Sequence, residues 1–140
     1  MNTSANVSST NQPASLLRIA LKGNATFSIA SGVVLVMAAP ALARIMGIPW
    51  PLALTVTGVI LLPFGLLLWR LAATQELAPT VGWIAVVLDV LWVVGSVALL
   101  LGGWLPLTAA GKWIVALLAE AVGLFAILEY LGVRRLTVAR

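Results

Sequence analysis

The sequence contains no cysteine and no histidine. This excludes disulfides, thiolate or imidazole metal ligands, axial histidine ligation of haem, and Cys–His nucleophiles. Charged residues are also scarce, at 9% of the chain, and only four are acidic. These four, Glu76, Asp89, Glu120 and Glu129, are scattered along the sequence, which argues against a carboxylate metal cage. We therefore expect no metal and no cofactor.

The chain has none of the motifs that mark common catalytic sites. It lacks a Gly-rich phosphate loop, a nucleophile elbow and a zinc motif. Its 140 residues allow one domain, and little of that length is polar enough to form a catalytic module outside a membrane. The sequence therefore predicts a protein that is not an enzyme.

Long apolar runs dominate what is present. Hydrophobic residues make up 62% of the chain and its mean hydropathy is +1.14, whereas globular domains are about 45–50% apolar. The run Val81–Gly103 contains one charged residue, Asp89. Such a run matches the ~20 residues that cross ~30 Å of hydrocarbon as a helix. It is predicted to span a membrane.

Three other runs resemble it, so the predicted fold is an all-α, four-transmembrane-helix bundle. The predicted spans cover about 16–39, 51–71, 81–103 and 109–131, within one domain of residues 16–135. A polar N-terminal tail, 1–15, is expected to be disordered, and 136–140 form a C-terminal tail. We expect Pro40 to end the first span, Ala41–Ile48 to form a separate interfacial helix, and Pro63 to kink the second span.

The two halves of the chain share a pattern. Each half would be a helical hairpin, and the two would be parallel repeats related by an axis along the membrane normal. Five matches of mostly common residue types can also arise by chance, so duplication and coincidence both stay open. The matched pairs are Asn24 with Asp89, Phe27 with Trp92, Ser31 with Ser96, Phe64 with Phe125, and Trp69 with Tyr130.

Basic residues predict the orientation. Six are expected on the side of the N-terminus and two on the other, which places both termini in the cytoplasm by the positive-inside rule. We therefore predict a multi-pass protein of the bacterial inner (plasma) membrane. Its basic residues would meet anionic lipid head groups rather than nucleic acid. The six are Arg18, Lys22, Arg70, Arg134, Arg135 and Arg140, and the two are Arg44 and Lys112.

A candidate polar site within the membrane comprises Lys22, Asn24, Asp89 and Glu120. A lone carboxylate at the depth of Asp89 costs up to ~3 kcal/mol on insertion scales. Lys22 is expected at a similar depth, so a Lys22–Asp89 pair is predicted, with Asn24 nearby. Such a pair either holds spans one and three together or forms a proton or ligand site.

Two further carboxyl groups lie in the fourth span. Glu120 falls near its middle with no basic residue at its depth. It is predicted to be protonated and to donate to a Ser or Thr oxygen (Thr55, Thr57 or Ser31), either as a helix contact or as a functional site. Glu129 lies near the cytoplasmic end, where arginines can neutralise it, and is predicted to be structural.

Small residues recur along the spans and predict close helix packing. In lipid, packing rather than the hydrophobic effect drives helix association, and small residues let backbones approach. The pattern does not distinguish contacts within the chain from contacts with another subunit. The residues are Ser28, Gly32, Gly58, Gly65, Gly95, Gly102, Ala119 and Gly123.

The pattern resembles the small four-span membrane proteins that are common in bacteria. The stretches that carry the resemblance are LKGNATFSIASGVVLVMAAPALARIMGIP and LDVLWVVGSVALLLGGWLPLTAAGKW. The resemblance covers Leu16 to Arg135. It implies a topology and assigns no active residues to this chain.

Two function classes follow. The favoured one is a non-enzymatic membrane protein that acts through helix–helix contacts, as an accessory subunit of a larger membrane complex or as a homo-oligomer. Its partners would be lipids and other subunits or itself. The alternative is a small proton-coupled transporter or channel-like protein that uses Glu120 and Asp89.

Overall fold

The computed structural model describes residues 12–74 and 76–138. It consists of four helices, α1 (Gln12–Met46), α2 (Pro51–Ala73), α3 (Pro79–Gly102) and α4 (Ala109–Val138), with no strand among the described residues. Each helix is long and apolar enough to cross a membrane. The predicted all-α fold of four membrane helices is confirmed, and the chain is a multi-pass membrane protein.

The first helix differs from the prediction. It continues through Pro40 to Met46, so the expected break at Pro40 and the separate helix over Ala41–Ile48 are both wrong. Proline removes one backbone hydrogen bond, a loss that membrane helices tolerate. The helix ends at Met46, and Gly47 follows it with a left-handed φ of 77°. There the Ile48 N–H donates to the Ala43 carbonyl at 2.8 Å, which closes the helix end.

Both tails are shorter than predicted within the described residues, because α1 begins earlier and α4 ends later than expected. Gln12–Ser15, part of the tail predicted to be disordered, begin α1, while residues 1–11 lie outside the described part of the chain. At the other end α4 continues beyond the predicted limit of 131 to Val138. Pro63 lies inside α2, which continues past it.

Helix α1 is the centre of the packing. It contacts both α2 and α4, and α3 packs on α4, whereas α2 has no comparable contact with α3 or α4. A two-fold axis relating the two hairpins would pair an α1–α4 contact with an equivalent α3–α2 contact. Because α2 and α3 stay apart, the described helices do not obey that symmetry, and a gap separates α2 from α3.

Small residues bring α1 and α2 together. A Cβ on Gly58 would lie 2.7 Å from the Gly32 carbonyl oxygen, and one on Gly65 would lie 2.8 Å from the Ala25 carbonyl oxygen. The small residues of α2 therefore pack within this chain, as one reading of the pattern predicted. Gly95 differs, because a Cβ there would meet no atom within 4 Å.

Polar residues cap the helices at both ends of the bundle. We call the end with Gln12, Ala73, Pro79 and Val138 the terminal side, and the other the hairpin side. On the terminal side, Arg18 donates to the carbonyl of Thr74 at 2.7 Å. On the hairpin side, the Thr108 hydroxyl accepts from Gly111 N–H at 2.9 Å and donates to the Ile45 carbonyl at 2.6 Å. Thr108 thus caps α4 and joins it to the end of α1.

Candidate polar cluster and cavity

A buried amide joins three helices. The Nδ2 atom of Asn24 on α1 donates to Asp89 Oδ2 on α3 at 2.7 Å and to Glu129 Oε1 on α4 at 2.9 Å. Its Oδ1 accepts from the Ser28 hydroxyl at 3.2 Å. We call these four residues the Asn24 cluster. An amide has two N–H donors, and both are used to hold carboxyl groups from different helices.

The cluster lies deep within the bundle. Asn24 is 1% exposed, Asp89 4% and Glu129 0%. Asp89 comes ten residues after the start of α3 at Pro79, a rise of about 15 Å from the terminal side. The carboxyl groups therefore lie inside the membrane-spanning part of the protein and away from bulk water.

The two carboxyl groups are close together. Both accept from the same nitrogen, so their accepting oxygens are no further apart than the sum of those two hydrogen-bond lengths. Glu129 Oε2 is buried and has no hydrogen-bond partner among the described residues. A buried carboxyl oxygen without a donor is unusual and is costly if it carries charge. No basic side chain hydrogen-bonds to the cluster in the described part of the chain.

Of the predicted site residues, Asn24 and Asp89 come together, but Lys22 does not join them. No Lys22–Asp89 ion pair forms in the described structure, so that prediction is wrong. The Nζ atom of Lys22 lies 5.8 Å from the centroid of the Trp69 ring instead. Two residues along a helix rotate a side chain by about 200°, so Lys22 and Asn24 point to nearly opposite sides of α1.

The roles predicted for the two glutamates of α4 also differ from the structure. Glu120 is exposed on the outer surface of the described chain, and no hydrogen bond joins it to Thr55, Thr57 or Ser31 there. The hydroxyls of Thr55 and Thr57 donate to carbonyls of their own helix instead. Glu129 is buried in the cluster rather than neutralised by an arginine. Nine residues rotate a side chain by about 900°, which places the two glutamates on opposite faces of α4.

A sequence signal for Glu129 exists in hindsight. The buried residues of α4 include Ala119, Val122, Ala126, Glu129 and Val133. Their alternating spacing of three and four residues is typical of a helix face that packs on a neighbour. Glu129 is the one charged residue of this stripe, so its place among small apolar residues marks it as inward-facing.

Two cavities share walls near the cluster, and residues of the cluster line the smaller one. The smaller, of about 290 Å³, is lined by Asn24, Ser28 and Asp89 and by side chains of α2 such as Phe64. The larger, of about 660 Å³, extends towards the hairpin side as far as Met46. They share Phe27, Ser31, Leu35, Trp92 and Leu118.

We treat the two as parts of one cavity, which follows the gap between α2 and α3. Helices α1 and α4 form its floor, with Thr57 of α2 and Gly95 of α3 on its two sides. Its walls are almost entirely apolar, and no Lys or Arg of the described residues lines either part. The Asn24 cluster thus places polar groups at one end of an apolar cavity, the arrangement that small-molecule sites commonly show.

Comparison of the chain with known proteins identifies no relative. No model of a known protein family, no curated protein and no solved structure matches the chain. No group of three His, Cys, Asp or Glu side chains suited to a metal ion occurs among the described residues.

Proposed function

We propose that this protein is a non-enzymatic membrane protein of the transporter class, which binds a lipophilic solute between α2 and α3 and exchanges it for a proton on the Asn24 cluster. One observation carries the proposal. Two buried carboxyl groups, Asp89 and Glu129, share the Asn24 amide, and Asp89 lines the inner end of a cavity that runs along the gap between two helices. Ionisable groups inside a membrane protein commonly belong to substrate or proton pathways.

The proposed chemistry is the sharing of one proton. Two carboxyl groups in one buried site do not readily carry two negative charges, because each ion repels the other at low dielectric. A proton held between them limits the empty site to one negative charge. The uncommitted Oε2 of Glu129 is an acceptor at which such a proton can be received or released.

The cavity offers a direct test, because Gly95 lines it and a side chain there would meet open space. We expect the Gly95→Phe variant to fold and to fill the cavity. Val97→Phe is the matched control, since Val97 is on the same helix and 45% exposed on its surface. Binding of the neutral fluorescent probe N-phenyl-1-naphthylamine is measured to protein in lipid nanodiscs, with empty nanodiscs as background.

We expect saturable binding to the unmodified protein and to Val97→Phe, and its loss in Gly95→Phe. Equal binding by the two phenylalanine variants would show that the cavity is not a solute site, and so would the absence of saturable binding of both this neutral probe and a lipophilic cation.

A second candidate function is the accessory or self-associating subunit favoured by the sequence. The observation that supports it is Glu120, which is exposed near the middle of α4 between Leu117 and Leu124, themselves 58% and 59% exposed. A carboxyl group facing hydrocarbon is costly, and a partner helix that hydrogen-bonds to it removes that cost.

This second function predicts a difference between two substitutions at one position. Glu120→Gln keeps a hydrogen-bonding side chain and should keep the native assembly, whereas Glu120→Leu should lose it. The mass of the protein purified from its native membrane in mild detergent, measured by light scattering corrected for bound detergent, distinguishes them. Identical masses for both variants and the unmodified protein would count against a contact through this face.

A further inference from the structure

The charge and shape of the cavity indicate which lipophilic solute it takes. We infer that the solute is a lipophilic organic cation, with flat or bulky apolar groups around a single positive charge. This inference rests on the proposed function, because it assigns a substrate class to the same cavity and the same carboxyl pair.

The polarity of the site argues for a positive charge on the solute. Asp89 is the one ionisable residue that lines the described cavity, and Glu129 lies directly behind it on the Asn24 amide. Lys22 faces Trp69 instead. An anion in this cavity would meet a carboxyl pair without a compensating base, and a neutral apolar molecule would leave the polar end without a partner. A cation satisfies that end.

The aromatic residues of the cavity argue in the same direction. Phe27 of α1 and Trp92 of α3 line both parts of the cavity, at the junction next to the Asn24 cluster. The face of an aromatic ring attracts a cation, and tryptophan does so most strongly. Trp92 therefore differs from the tryptophans near helix ends, such as Trp50 and Trp104, which are 63% and 74% exposed.

Volume and access fit the same class. The larger part alone, about 660 Å³, lies within the range of about 300–1,000 Å³ that holds drug-sized ligands. The gap between α2 and α3 faces the lipid, because large apolar residues of both helices are exposed beside it, among them Ile60 and Leu91, at 62% and 61%. A lipophilic cation that partitions into the membrane can reach the cavity by this side.

The exchange balances in charge. The empty cluster holds one proton on its two carboxyl groups and so carries one negative charge at most. When the cation enters, the proton leaves from Glu129 or Asp89, and one positive charge replaces another. Binding should therefore release one proton and should weaken as the pH falls, since proton and cation compete for the same carboxyl pair.

Three lipophilic probes of different charge test the inference. Tetraphenylphosphonium is a permanent cation, tetraphenylborate is an anion of the same shape, and N-phenyl-1-naphthylamine is neutral. Binding to protein in nanodiscs of neutral lipid is measured by isothermal titration calorimetry, with proton release followed by a pH-indicator dye at low buffer concentration. Glu129→Gln is compared with Glu120→Gln, which makes the same chemical change on the outer face of α4.

We expect tetraphenylphosphonium to bind with release of about one proton, and its affinity to fall with falling pH. Glu129→Gln should weaken this binding by about tenfold or more, the loss that follows removal of a charged partner, and Glu120→Gln should leave it unchanged. Tetraphenylborate should not bind above the background of empty nanodiscs. If Glu129→Gln does not fold, the pH dependence in the unmodified protein and the block by Gly95→Phe still decide the inference.

The inference is overturned if tetraphenylborate binds as tightly as tetraphenylphosphonium, or if Glu120→Gln weakens binding as much as Glu129→Gln. Saturable binding of N-phenyl-1-naphthylamine that Gly95→Phe blocks, without saturable binding of tetraphenylphosphonium, would refute the cation and leave the proposed function standing. If neither of these two probes binds, both proposals fail.

Discussion

Replacing Asn24 by leucine should destabilise the protein through the two carboxyl groups that its amide now holds. The substitution is similar in size but removes donors at 2.7 and 2.9 Å from Asp89 and Glu129. Side-chain hydrogen bonds between membrane helices are worth about 0.6 kcal/mol on average and up to about 1.7 kcal/mol. Two of them give an expected loss of about 1–3 kcal/mol in the free energy of unfolding.

The measurement is equilibrium unfolding in mixed micelles as the fraction of denaturing detergent is raised, followed by helix content. Thr26→Leu is the control, because Thr26 is on the same helix, is exposed, and bonds only to the Lys22 carbonyl of its own helix. A surface change of that kind should stay within about 0.5 kcal/mol.

A triple variant sharpens the test. When Asn24, Asp89 and Glu129 are all replaced by leucine, no buried carboxyl group is left unmatched, so the loss should be smaller than the sum of the three single losses. The reasoning is refuted if Asn24→Leu is as stable as Thr26→Leu, or if the three single effects simply add to give the triple effect.

Three other predictions follow from the packing and the topology. Gly58→Ala should lower the free energy of unfolding by about 1–3 kcal/mol in the same measurement, because its new methyl group meets the Gly32 carbonyl. Gly95→Ala is the control, because its methyl group meets open space and should leave the free energy of unfolding unchanged. Equal losses in the two variants would contradict the packing of α1 on α2. Thr108→Val should lower the free energy of unfolding by about 0.5–2 kcal/mol, because it removes the hydroxyl that caps α4. Unchanged stability would show that the cap contributes nothing. Single cysteines at Thr74 and Leu107 should react with an impermeant thiol reagent from opposite sides of the membrane, Leu107 from outside intact cells; labelling of both from one side would refute the four-span topology.

The number and type of helices were predictable because length and apolarity are local properties of the chain. A run such as Val81–Gly103 must cross the hydrocarbon as a helix, whatever its neighbours are. The ends of helices were less predictable. Pro40 was expected to stop α1, but the helix passes through it to Met46, and Gly47 follows. In the membrane, the loss of one backbone hydrogen bond at a proline costs less than a break that leaves several backbone groups without partners.

Asn24 and Asp89 were singled out correctly as intramembrane polar residues that come together, because a polar side chain in an apolar run needs a partner. Lys22 and Glu120 did not join them, and Glu129 did. Depth along a helix can be counted from sequence, but partnership also depends on which face of the helix turns inward.

That face was decided only by the tertiary structure. In a soluble protein the apolar face of a helix identifies its inner side, but lipid accepts apolar side chains as readily as a neighbouring helix does. The sequence by itself therefore determined four membrane-crossing helices and a small set of polar residues within them. The packing of α1 against α4, with α2 and α3 held apart, decided that a carboxyl pair and a cavity meet beside Asn24, because helix order and rotation depend on close contacts between residues far apart in the chain.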